Sequence, residues 1–454
     1  MHRSPYSIAS ASPIVEANES GLPDAALPAR ESREGLSPGV LGQPKPSGEF
    51  DGHSTSGESR TLTRLLSVKT VGTLGGFALL FNNVTGPGIA SIAQVYQSSG
   101  WVVTTLAFLI FGILATFCSL LLVESVQSVP GNAHFQGQVE FSTLINFYFG
   151  KRAHRVGQFF LWATLESTAI LSIIQSSQAM DNLLIDIFGR TCGLALGPAV
   201  TGWTCITTRQ ESLSSFGNVF TLFTLGFLLV VVLILPMSLF VSMDGNIWVQ
   251  TGVHFVTIYI FVQWFISSCV KGLDRHLVPP IGSGSGFAQL FGVVMLNYAS
   301  VTTVPSWVNV RKKSVNIQSS LWSSNMFACL SFVLLGAVPG SAFLIPDDSN
   351  FISIVALHDT LNRVDSYLFT ISLIMSSIPV FFLIARDNLV HNQILTQARA
   401  TWFTHVLPWF IAIPFLNGPF LTYLTVWTSL VFASVTNFTI PVLIYYKARR
   451  FRRI

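Results

Sequence analysis

Two polar interruptions stand where a membrane-spanning helix would need unbroken apolar residues. Residues 78–96 read ALLFNNVTGPGIASIAQVY, with Asn82, Thr85, Gly86, Pro87 and Gly88 inside an apolar run. Residues 286–308 read GFAQLFGVVMLNYASVTTVPSWV, with Asn297, Ser300, Thr302 and Thr303 ahead of Pro305. Non-helical backbone at membrane depth is tolerated only where protein buries it or where it lines a cavity. A lone Gly-Pro-Gly reads equally well as a kink that helps helices pack. Two interruptions in corresponding places read differently: half-helix ends present bare N–H groups, which attract a carboxylate, and bare C=O groups, which attract a cation. The chemistry expected is therefore binding.

Three other positions carry chemistry. Glu166 lies within the apolar stretch LWATLESTAIL, and an ionisable residue inside a span is a functional candidate by default. It either binds and relays a proton or faces the bundle, hydrogen-bonded to Ser or Thr. Cys192 and Cys205 share one loop without metal-type spacing, so they form a disulfide on an oxidising side or remain two free thiols. No phosphate-binding Gly loop, metal-ligand cluster or nucleophile elbow is present, so neither an enzyme nor a resident cofactor is expected, and no nucleic-acid partner.

The elements that position these residues are long apolar helices. Of 454 residues, 50% are hydrophobic and 10% charged, with mean hydropathy +0.57 and net charge +4. Soluble domains carry about 25% charged residues. A span needs roughly 20 apolar residues, and ten candidates fall near 72–95, 101–123, 157–179, 216–240, 247–268, 285–305, 318–338, 364–385, 401–416 and 420–446. With both termini cytoplasmic, Lys151, Arg152, Arg155, Arg311, Lys312, Lys313 and the cluster Lys447 to Arg453 lie inside, as the positive-inside bias requires. Residues 1–64, rich in Ser, Pro, Gly and Glu, read as a disordered cytoplasmic tail. Residues 65–447 read as the membrane domain, and 448–454 as a basic cytoplasmic end.

The interrupted first span, NNVTGPGI, resembles the amino acid/auxin permease family, especially its sodium-coupled neutral amino acid transporters. So do LILPMSLFVSMDGNIWVQTGVHF around spans four and five, SSIPVFFLIARDNL at the end of span eight, and WTSLVFASVTNFTIPVLIYYKAR in span ten. The resemblance covers residues 70 to 447. It implies an all-α, five-plus-five inverted-repeat bundle (the LeuT-like arrangement of the amino acid–polyamine–organocation superfamily) with spans one and six broken. It also implies amino acid transport. By the resemblance Asn82 and Ser377 occupy a cation site, although Asn82 is equally able to bond across helices. Thr85, Gly86 and Gly88 would receive the substrate carboxylate, while Asn297, Ser300 and Thr302 are candidates for its amino group or side chain. The family's usual span-six signature is replaced by NYASVTT, which leaves the side-chain pocket open.

The expected function is a secondary active transporter of amino acids, with Na+ or H+ as coupling ion. A transporter-like sensor, signalling through a cytoplasmic partner of the tail, is the alternative. The expected location is the plasma membrane or an endolysosomal or vacuolar membrane.

Overall fold

The computed structural model describes residues 69–197, 201–209, 214–217, 219–240, 243–282, 286–346, 349–417 and 420–452. The expected tail, 1–64, lies outside the described residues. Span one is helix α1 (Thr73–Val84) followed by α2 (Ile92–Ser99). Spans two and three are α3 (Trp101–Gln127) and α4 (Phe141–Phe188). Spans four and five are α5 (Leu225–Phe240) and α6 (Met243–Lys271). Span six is α7 (Gly286–Asn297) followed by α8 (Val304–Val310). After α9 (Ile317–Ala342) comes the short α10 (Phe351–His358), then α11 (Thr360–His391), α12 (397–412) and α13 (Leu421–Arg452).

Among the described residues, seven helical segments are long and apolar enough to cross a membrane, α7 and α8 counting as one; α1 and residues Leu225–Leu239 are shorter apolar helices. Large apolar side chains also stay outside the packing: Ile110 is 59% exposed, Val232 68% and Phe255 57%. A water-soluble bundle would bury such residues, whereas lipid solvates them. The chain is a multi-pass integral membrane protein.

Four helix interiors depart from regular geometry for identifiable reasons. In α4, Gly150 adopts φ 79°, ψ 179°, which only glycine takes without strain. The helix bends there, and its long limb extends past the expected 157–179 at both ends. Of the four widened π-turns among the described residues, 370–375, 402–406 and 435–439 precede Pro379, Pro408 and Pro441, and 429–433 lies one residue ahead of the last of them. Proline has no N–H for the carbonyl four residues earlier. A wide turn lets the helix continue after that bond is lost.

The all-α expectation needs one correction. Between α4 and α5 the chain forms an antiparallel sheet of β1 (Thr191–Leu196), β2 (Thr201–Ile206) and β3 (Thr221–Thr224), ordered β2-β1-β3. Span four therefore starts at Leu225 rather than 216, because Thr-Leu-Phe-Thr pairs with β1 instead of extending the helix. Cys192 sits opposite Cys205 and a disulfide joins them. At the other end, α13 runs on through 448 to Arg452, whose guanidinium donates to the Glu124 carboxylate at 2.9 Å and to Ser128 Oγ at 2.7 Å. The basic end is thus helical up to that residue. The β1–β2 hairpin marks one face of the bundle, the hairpin side, and Lys69 and Arg452, both against residues 124–135, mark the other, the terminal side.

Candidate functional site

The first break begins where α1 stops. The Thr85 N–H and hydroxyl both bond back to Phe81 O, each at 2.9 Å. Gly86 is extended, at φ −106° and ψ −155°, and a tight 3-10 turn over Pro87–Ser91 follows. Of the two glycines expected to offer N–H groups, Gly86 donates within the break, to Val84 O at 3.2 Å. That leaves Gly88 as the glycine facing the second break. A Cβ built on Gly88 would lie 2.6 Å from Asn297 Nδ2 and 2.8 Å from Asn297 Oδ1, so the glycine is what allows the contact.

The second break runs from Asn297 to a 3-10 turn at Val301–Thr303. Asn297 Nδ2 donates to Val293 O at 2.8 Å, and Asn83 Nδ2 reaches Thr303 Oγ1 at 3.3 Å, a second link between the breaks. The Thr302 N–H donates to Asn437 Oδ1 of α13 at 3.3 Å. Ser300 is 7% exposed and Thr302 1%. Asn297 Oδ1 and Thr302 Oγ1 are buried without a hydrogen-bond partner. Such atoms are rare in folded proteins and call for an explanation.

Asn82 and Ser377 do not bond to one another. Asn82 Nδ2 donates to Gln250 O at 2.8 Å and to Gln250 Oε1 at 2.9 Å, both on α6, while its Oδ1 is buried and unpartnered. Ser377 donates to Ile374 O of its own helix at 2.7 Å. Glu166 is 3% exposed, and neither carboxyl oxygen has a hydrogen-bond partner. The Trp162 indole, one turn earlier, interacts with it too loosely to count as one, and that ring stacks on Phe403 at 4.6 Å. The alternative in which Ser or Thr hydroxyls satisfy Glu166 is not the arrangement found.

Access differs on the two sides. On the hairpin side a cleft with about 40 Å³ of free space runs between α4, α10 and α11. Its wall includes Gln175, whose Nε2 donates to Pro87 O in the first break at 3.1 Å. On the terminal side the chain is strapped down. Lys69 Nζ donates to Phe135 O and Asn309 O, both at 2.6 Å, and Val71 pairs with Arg311. Beneath that strap Glu140 accepts from Ser306 Oγ at 2.6 Å and Asn309 Nδ2 at 3.0 Å. Burial pushes the Glu140 carboxyl above its ordinary value, against the pull of those two bonds and of His391.

Gln175, Gln250, Asn437 and Glu140 are the contributors that sequence reading missed. Their signal was polarity within or beside apolar runs, but only the fold shows which of them faces a break.

No protein-family model and no curated protein matches the chain in sequence. Its backbone does match solved structures. One is a manganese transporter of Eremococcus coleocola in complex with an aromatic bis-isothiourea substituted compound, 15% identical, with a TM-score of 0.53 over 84% of this chain and 82% of that one. A single-residue mutant of the same transporter is 13% identical, with a TM-score of 0.55 over 86% and 88%. The chain shares the fold of that membrane transporter.

Proposed function

We propose that this chain is a secondary active transporter that moves amino acids by alternating access. The observation that carries this reading is the contact of two interrupted helices, Gly88 against Asn297. Unwound backbone from both breaks then meets at one place, as a five-plus-five inverted repeat of the amino acid/auxin permease kind would arrange it. The carboxylate is read by backbone at Gly88, and the amino group by Asn297, Ser300 and Thr302. A cleft open on the hairpin side, with a strap across the terminal side, corresponds to one of the two states such a cycle needs.

The coupling ion is Na+ or H+, and each has its residues. A hard cation favours oxygen ligands, which Asn82 Oδ1 and Ser377 Oγ would supply; a proton would ride on Glu166. Manganese, carried by the E. coleocola protein, is the competing cargo. Manganese takes carboxylate, carbonyl and water oxygens, so the flux experiment decides between the two cargoes.

Radiolabelled uptake into proteoliposomes tests the reading, with amino acids and Mn2+ as cargoes and Na+ and pH gradients imposed separately. Amino acid flux driven by either gradient is the expected result. Flux of Mn2+ alone would overturn it, and amino acid binding without flux would favour the sensor.

A further inference from the structure

We propose that a groove between α4 and α13, on the terminal side, binds one anionic phospholipid, with an acyl chain along the groove and the phosphate beside Lys447. The groove has about 320 Å³ of free space, far more than the hairpin-side cleft. Its walls include Phe149, Ala153 and Val156 of α4 and Val435, Ile440 and Leu443 of α13, and Thr439 is the one polar side chain among the described residues that line it. Phe149 ends the short limb of α4 before the bend at Gly150, while Ala153 and Val156 begin the long one. The bend thus forms one wall. Val156 and Leu443 are exposed, so the groove opens to lipid.

An apolar groove alone would accept the chain of any phospholipid; the charge at its end selects among them. Lys447 follows Leu443 by one turn of α13, and its Nζ stands 5.8 Å from the centre of the Phe149 ring. Arg450 lies three residues further, on the same helix face, and Arg152 precedes Val156 by one turn of α4. All three cations are exposed, and among the described residues none has an ion-pair partner, whereas Arg452 is paired with Glu124. Uncompensated cations beside a membrane draw anionic headgroups, and a chain plus a basic patch holds a ligand that neither would hold alone. The groove also reaches the second break. Val435 and Thr439 bound the widened turn 435–439, and Asn437, within that turn, accepts from the Thr302 N–H. A chain seated there braces, from the lipid face, the element that holds Thr302. None of this depends on which cargo moves.

Native mass spectrometry of the full chain in detergent micelles, titrated with dioleoylphosphatidylglycerol or dioleoylphosphatidylcholine, tests the site. The first phosphatidylglycerol is expected to bind roughly tenfold more tightly than the first phosphatidylcholine. R152Q/K447Q/R450Q should lose that preference while keeping its phosphatidylcholine affinity, which shows that it is folded. L443W, which fills the groove and leaves the cations, should weaken the first phosphatidylglycerol, and glycerol phosphate, the charged headgroup without chains, should not displace the lipid. Amide hydrogen exchange across 435–443 should slow with phosphatidylglycerol in the wild type but not in L443W. Equal first affinities for the two lipids, or an unchanged preference in the triple variant, overturns the site. Displacement by glycerol phosphate, or an L443W titration identical to wild type, overturns the groove as the seat of the chain. Exchange that ignores the lipid overturns the brace.

Discussion

Gly88 and Asn297 stand so close that no other residue fits at position 88 without moving the asparagine: the nearest side-chain atom would be 2.6 Å from an added Cβ. Asn297 is itself held by Val293 O. G88A is expected to lower stability by about 1–3 kcal/mol, as overpacking does, and to cut uptake at least tenfold. The double variant G88A/N297A should recover the stability but not the uptake. A double-mutant cycle on chemical denaturation reads the coupling, and additive losses would mean the two residues do not meet.

Removal of the Asn82 carboxamide separates its two possible roles. N82A is expected to lose Na+ activation together with uptake, while Q250A, which removes only one partner of the Asn82 amide, keeps Na+ activation. Uptake measured against Na+ concentration decides. Unchanged activation in N82A takes that residue out of the ion site.

Glu166 offers a complementary measurement. E166Q preserves shape at a position 3% exposed and cannot exchange a proton. Uptake by the variant should lose its pH dependence if the chain is proton-coupled; a profile that survives assigns the proton elsewhere.

The terminal-side strap carries its own pH dependence through Glu140. Burial, the largest influence, raises its carboxyl above the ordinary 4.5; the bonds from Ser306 and Asn309 and the charge of His391 lower it, and Asp387 raises it. The net shift is upward, so the closed arrangement binds the proton more tightly than an open, hydrated one. Closure is therefore fully favoured below the ordinary value and loses that contribution as pH rises through the raised one. Amide hydrogen exchange across 304–312 should quicken with rising pH beyond its intrinsic base catalysis, and E140Q should remove the excess.

Reduction of the Cys192–Cys205 disulfide opens a loop with a sequence separation of 13. The expected loss is roughly 2–4 kcal/mol, confined to the hairpin. Thermal unfolding with and without dithiothreitol measures it. An amino acid whose binding weakens on reduction would link the hairpin to the cleft.

The breaks were legible because Gly-Pro-Gly, and the polar run NYASVTT ahead of Pro305, are poor helix formers set inside apolar spans. Most spans were legible from length and apolarity alone. The sheet was not, since Thr-Leu-Phe-Thr at 221–224 is apolar enough to extend span four, and only its pairing with β1 reveals a strand. Nor was the Asn82–Gln250 bond, because helices that are apolar all round give no periodicity to say which polar residue points where. Glu140 sits in the loop before α4, and nothing in its immediate sequence shows that Ser306 and Asn309, far along the chain, close over it.

The wide turns before Pro379, Pro408 and Pro441 have a mechanical meaning. Each marks a place where the ladder of backbone bonds has already been cut by the proline, so bending there sacrifices no bond that a straight helix would keep. Helices α11, α12 and α13 each carry such a hinge point in advance, while α3 and α9 have no comparable turn. If one part of the bundle tilts against another, these three joints are where the deformation should concentrate, with the stiffer helices moving as levers.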